Sequence, residues 1–292
     1  MAVQQRVDRV GESPADGDSI ELIGNATVLI RYGAFTILTD PNFVHRGVEV
    51  PLGYGLSTVR LTNPAMEIDQ LPPLDLVLLS HHHGDHFDEV AERRLDRTIP
   101  IVTTPSAADT LRGQGFGAAR GLETWRSVEL AKGEDRLRIS AMPGQHASGV
   151  ISVALPDVMG SLLEFWRGAD ASRTPRRRRP AADGDRPPSL RLYISGDTVV
   201  YDGLDEIPRR HPEIDLALLH LGGTRVVGAT VSMDAEQGVD LLRRVRPRMA
   251  IPIHYADYEA FKSPLADFVA AVNAAGWDDR VSYLLAGDRF VL

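Results

Sequence analysis

The chain has 292 residues, 43% hydrophobic and 25% charged, enough apolar material to bury the core of one large α/β domain. Its formal charge of −8 argues against general affinity for nucleic acid, and no apolar stretch approaches the roughly 20 residues a membrane span needs. The absence of cysteine excludes disulfides and thiolate metal ligands.

Met1 to Ser19 reads as a polar, acidic tail without the hydrophobic core of a signal peptide, which makes the cytoplasm the expected location, and residues 20–292 as a single domain. Glu21 to Arg31 and Phe35 to Thr39 are predicted strands about a turn at Gly33, the second running into Asp40. Asn42 to Pro73 has little periodicity and carries Gly47, Gly53, Gly55 and four prolines, so it is expected to be a long loop that selects substrate. Within it Arg46, Tyr54 and Arg60 are candidates to bind an anionic or sugar-like group. The apolar run Leu76 to Leu79 is a buried strand, Asp88 to Leu95 a helix, Ile101 to Thr104 a strand and Ser106 to Gln114 a second helix.

Further along, Leu137 to Met142, Ser161 to Trp166, Leu190 to Ser195, Asp215 to Leu219 and Ala250 to Ile253 read as strands. Between the second and third of these, 168–189 is rich in Arg, Pro, Asp and Ala and contains Arg176 to Arg179. That composition cannot bury a core of its own, so the segment is expected to be a mobile hairpin insertion. Only Lys132 and Lys262 among the 32 basic residues are lysines, which makes an arginine run less telling here; a solvated loop is the plainer reading than a lid or an anion tether. Asp234 to Val245 places Val239, Leu241, Leu242 and Val245 on one helical face, and Ser263-Pro264 is expected to cap and start a helix that ends at Gly276.

The chemistry concentrates at Ser80 to Asp88, Ser-His-His-His-Gly-Asp-His-Phe-Asp, straight after the Leu76 to Leu79 strand. His81 and His83 are two apart, so extended backbone projects them to one side where they can hold one ion; Asp85 and His86 follow where the chain turns and can face a second. Three more strand-like segments end in a potential ligand: His146, Asp197 and His254. Five histidines and two aspartates are too many for one tetrahedral zinc and suit two divalent ions that share a carboxylate, with zinc the first choice and manganese or iron alternatives. His45, His82 and His211 have no comparable position.

The motif Ser80 to His86, with Pro-Gly-Gln-His146, Ser-Gly-Asp197-Thr and Pro-Ile-His254-Tyr in that order, resembles the metallo-β-lactamase-fold hydrolase superfamily. Leu22 to Ile30 with Leu38-Thr39-Asp40-Pro41 is similar to the branch that holds ascorbate-6-phosphate lactonase and N-acyl-phosphatidylethanolamine phospholipase D. Members of that branch often carry histidine where this chain has Asn25, and proline is expected at His220. The resemblance implies a four-layer αβ/βα sandwich with metals at one edge. It implies His81, His83 and His146 on the first ion, Asp85, His86 and His254 on the second, Asp197 between them, and Asp40 in support.

The expected activity is that of a binuclear hydrolase in which a metal-bridging hydroxide cleaves a phosphodiester, lactone or related small-molecule ester. Asp85 is the candidate to orient that nucleophile and take its proton. His220 is a candidate proton donor to the leaving group, or else a hydrogen-bonded residue beneath the metals. The alternatives are a di-iron redox protein of the same fold and a non-catalytic metal-binding scaffold.

Overall fold

A computed structural model describes residues 17–53, 55–147, 156–168, 186–226 and 229–292. The first part of the chain forms β1 (Ser19–Gly24), β2 (Thr27–Tyr32), β3 (Phe35–Thr39), β4 (Glu49–Gly53), β5 (Leu56–Val59), β6 (Leu76–Leu78), α1 (Glu89–Arg94), β7 (Ile101–Thr103), α2 (Pro105–Gly113) and β8 (Ala119–Gly121). Next come β9 (Ser127–Lys132), β10 (Asp135–Met142), β11 (Gly160–Trp166), β12 (Leu190–Ile194), α3 (Glu206–Arg210) and β13 (Leu216–His220). The chain closes with β14 (Arg225–Val226), β15 (Ala229–Thr230), α4 (Ala235–Val245), β16 (Met249–Ile253), α5 (Leu265–Ala275) and β17 (Arg289–Val291).

Two mixed sheets stack face to face, one ordered β17-β1-β2-β3-β6-β7-β8 and the other β16-β13-β12-β11-β10-β9. Alternation along the strands explains the layering. In β13, Leu216 and Leu218 join the core between the sheets, while Ala217 and Leu219 face outward onto Val239, Leu242 and Phe268 of α4 and α5. In the first sheet Ile37, Leu76 and Leu78 face inward, and Leu38, Val77 and Leu79 pack on Ala91, Ala108 and Leu111 of α1 and α2. Strands covered on both faces become near-continuous apolar runs, as Leu76 to Leu79 is. The result is the expected αβ/βα sandwich.

Local departures have clear causes. The stretch from Glu21 to Arg31 is two antiparallel strands, because Gly24 (φ 145°) and Asn25 (φ 53°) turn the chain and let Gly24 pair with Thr27. Ser263 does not cap α5: its Oγ accepts from Ala235 N at 3.0 Å at the start of α4, and Pro264 stands at the α5 N-cap. Three other helices, α1, α2 and α4, start with side-chain caps, Asp88 accepting from Ala91 N, Thr104 from Ala107 N and Asp234 from Gln237 N. The long loop expected from Asn42 to Pro73 contains the β4-β5 hairpin and a turn of 3-10 helix at Ile68–Gln70. Arg46 is exposed, but Arg60 is wholly buried among Asn42, Tyr258, Asp257 and the Thr62 carbonyl, so it holds the scaffold and cannot reach a substrate. Tyr54, the tail before residue 17 and residues 169–185 of the insertion, with Arg176 to Arg179, lie outside the described residues. Among the described residues no helix is long and apolar enough to cross a membrane.

Candidate metal centre

The strands that carry the motifs end at one edge of the sandwich: β6 leads into Ser80 to His86, β10 into His146, β12 into Asp197 and β16 into His254. A strand stops delivering backbone hydrogen bonds where its ladder ends, so the next side chains are free to turn toward a shared point. Two donor groups meet there, with ligand atoms in each within 4.8 Å of one another: His81, His83 and His146 in one, Asp85, His86, Asp197 and His254 in the other. All seven sequence-predicted ligands are therefore brought together.

In the first group His81 Nε2 and His83 Nδ1 lie 2.9 Å apart, too close to leave room for two protons and suited to sharing one cation. His81 Nδ1 is 3.0 Å from Ser80 Oγ, and His146 Nδ1 donates to the Val231 carbonyl at 2.7 Å, which turns Nε2 of both rings toward the site. In the second group His86 Nε2 is 3.4 Å from Asp197 Oδ2 and 3.8 Å from Asp85 Oδ2, while His254 Nε2 is 3.5 Å from Asp85 Oδ2. The groups adjoin, since the His81 and His86 ring centroids are 4.2 Å apart.

Charge is distributed unequally. Burial lowers the proton affinity of His81 and His83, the latter to about 4. Burial also opposes charge on His86 and His254, yet the carboxylates of Asp197 and Asp85 more than offset it and raise both. Burial raises the carboxyls of Asp85 and Asp197 in turn, but the His86 and His254 imidazoles overcome it and hold both below their usual range. Asp85 Oδ1, His86 Nε2, Asp197 Oδ1 and His254 Nε2 are buried without a hydrogen-bond partner. Buried polar atoms of this kind are costly unless something pairs with them, and a divalent cation suits two imidazoles and two carboxylates.

A supporting layer surrounds these groups. Asp40 Oδ1 accepts from Ser80 N at 2.7 Å and Ser80 Oγ at 3.0 Å, and its Oδ2 lies 3.6 Å from His86 Nδ1 and 3.3 Å from His220 Nε2. Burial works against the Asp40 charge, but the hydrogen bonds from His220 and His86 prevail and hold its carboxyl at about 2. His220 is fully buried at the end of β13, and its ring nitrogens face Asp40 and Ser195. His45 pairs with Glu67, His82 faces Gln114 and His211 stacks near Trp125, all away from the donor groups. In the sequence Asp88 marks only the start of a helix. Besides capping α1 it accepts from Phe43 N and, at 2.6 Å, Val44 N, while Asn42 Nδ2 donates to the Gly84 carbonyl at 3.1 Å inside the histidine motif. Their nearness in sequence to Asp40 and His86 was the available signal.

Adjacent His and Asp donor groups at one edge of an αβ/βα sandwich are the arrangement of the metallo-β-lactamase fold with a candidate metal centre. The chain belongs to the beta-lactamase superfamily, whose domain model covers residues 36–255. It is 26% identical over 269 residues to a metal-dependent hydrolase of Deinococcus radiodurans, covering 90% of this chain and 95% of that one. It is 25% identical over 247 residues to N-acyl-phosphatidylethanolamine-hydrolyzing phospholipase D 1 of Caenorhabditis elegans, covering 81% of this chain and 63% of the nematode protein. A relative in Mycobacterium bovis is likewise spanned over only 65% of its length. In three dimensions the chain resembles an isothiocyanate hydrolase from Delia radicum gut bacteria, with a TM-score of 0.74 at 20% identity over 94% of this chain and 99% of that one.

Proposed function

We propose that the two donor groups hold two divalent cations, zinc by the preference of an imidazole and carboxylate set, with Asp197 shared between them. On this reading the chain hydrolyses a phosphodiester, a lactone or a related ester. The observation that carries it is the pair of adjacent donor groups whose second member leaves four buried polar atoms unpartnered. When bound, such ions supply Lewis-acid polarisation and bring the pKa of water from about 15.7 toward 7.

The protein's own groups have separate tasks. Asp85, an anion whose Oδ1 is unpartnered, orients the attacking water and receives its proton. Asp40 and the Val231 carbonyl aim His86 and His146, so the ligands need not reorganise as reaction proceeds. The β4-β5 hairpin forms one wall of the opening: Gly84 N donates to the Pro51 carbonyl at 3.0 Å, and a Cβ on Gly53 would lie 3.5 Å from His83 Nε2. A phosphodiester draws support from the relative named for N-acyl-phosphatidylethanolamine hydrolysis.

The test is metal-loaded protein assayed against bis(p-nitrophenyl) phosphate and a panel of lactones, with elemental analysis of the same sample. Two metals per chain and turnover on either class are expected, and Asp197→Ala should lower occupancy of both sites. One metal or none in carefully loaded wild type would sink the binuclear reading.

A further inference from the structure

His220 is a buried titratable side chain that the chemistry above leaves without a task. It has no solvent exposure, so it cannot meet a substrate. Its Nε2 lies 3.3 Å from Asp40 Oδ2, and because an ionised carboxylate only accepts, that nitrogen carries the proton. On the other side Nδ1 lies 3.4 Å from Ser195 Oγ, whose single hydroxyl proton can go to that nitrogen or to the Gly196 carbonyl at 3.0 Å, and which accepts from the His220 backbone N–H at 2.9 Å. The ring is thus held at both ends. It lies nearly parallel to His86, at 15° and 6.0 Å between centroids.

Asp40 Oδ1 accepts from Ser80, whose Oγ also lies 3.3 Å from His86 Nδ1, and Oδ2 faces His86 Nδ1 at 3.6 Å and His220 Nε2 at 3.3 Å. Asp40 and His86 belong to the first sheet's edge, whereas Ser195 and His220 belong to the second. We infer that His220 is a positioning residue: through Asp40 it orients His86 toward the second donor group and joins the two sheets beneath that group. The chain of contacts Ser195, His220, Asp40, His86 is continuous and buried throughout. A proton donor to a leaving group would need a ring nitrogen facing the opening, and both nitrogens face inward partners instead. The inference rests on the two-ion reading above.

Titration of the metal-free full chain with Co(II), following the absorption of each site and the melting temperature, tests it in wild type, His220→Leu, His220→Gln and Ser195→Ala. Partners one shell removed from a metal typically change affinity by about 10–100-fold. H220L should weaken the second ion by that factor, alter its spectrum and leave the first ion unchanged. H220Q, whose amide can donate to Asp40, should restore most of the affinity, which simple loss of packing would not allow. Unchanged second-site affinity and spectrum in H220L would overturn the inference, as would equal weakening of both ions. Should H220L fail to fold, S195A decides, since it keeps the imidazole and releases only its far side: selective second-site weakening supports the assignment, and no change or an equal change overturns it. Wild type that takes one ion only would remove the two-ion reading and this inference with it. Two ions in wild type with unaltered variants would remove this inference alone.

Discussion

The side-chain amide of Asn25 donates to the backbone carbonyl of Asp85 at 2.6 Å, and the Asn25 carbonyl accepts from His254 N at 3.1 Å. One residue in left-handed backbone thereby ties together the two loops that bring Asp85 and His254 to the second donor group. Asn25→Ala should lose this hydrogen bond and strain the backbone, destabilising the fold by about 1–3 kcal/mol. Asn25→Gly should spare the backbone and lose only the amide. Both variants should weaken the second ion alike, while thermal melts separate them; equal second-ion affinity in wild type and both variants would refute the clamp.

On the proposed reading Asp85 joins ligand and acid-base roles in one carboxylate. Asp85→Asn should retain the first ion and lower turnover by roughly 10²–10⁴, the usual contribution of a positioned acid or base. Steady-state kinetics on protein of measured metal content decides this; full activity with both metals present would rule the role out.

Metal uptake should also reveal which donors hold protons. Burial opposes charge on His86 and His254, but Asp197 and Asp85 raise both, so they keep their protons to higher pH than an ordinary imidazole and an incoming cation must displace those protons there. Second-ion affinity should therefore fall as pH falls and level off once pH exceeds their raised values. His83, near 4, and His81, lower than usual, are already neutral at pH 7 and contribute no such release. Calorimetric titration in two buffers of different ionisation enthalpy measures the difference. Equal proton release from both steps would contradict it.

Gly84 sits where the histidine motif meets the hairpin. A Cβ there would lie 2.6 Å from the Pro51 carbonyl oxygen, a backbone atom that cannot rotate away. Gly84→Ala should push β4 off the motif at a cost of about 1–3 kcal/mol, as overpacking usually does. The expected signature is a lower melting temperature and a raised KM with metal content retained; an unchanged KM would separate the hairpin from substrate binding.

Much of the site was legible because metal ligands are a short list of residue types and strand ends are marked by apolar runs. His81, His83, Asp85 and His86 lie in one motif, and the length of Leu76 to Leu79 already places that motif at a strand end. His146, Asp197 and His254 follow similar runs, so the seven donors could be collected before any contact was known. The layered fold was readable for a related reason: strands buried on both faces must be apolar throughout, and Leu216 to Leu219 is.

What the sequence could not decide depends on which residues meet across the two sheets. Nothing local separates Arg60 on a substrate surface from Arg60 buried against Asn42 and Tyr258, since a partner 198 residues away determines its burial. Ser263 carries the pattern of a helix cap and caps a different helix, because Ala235 N is the closer unsatisfied donor once α4 and α5 pack together. His220 followed a strand just as His254 does, yet the depth of β13 within the sheet turns its ring onto Asp40 beneath the metal groups. Residue type and spacing determine which side chains can bind metal or cap a helix. Their direction and exposure follow only from packing, where burial makes each polar group take the nearest partner that tertiary structure supplies.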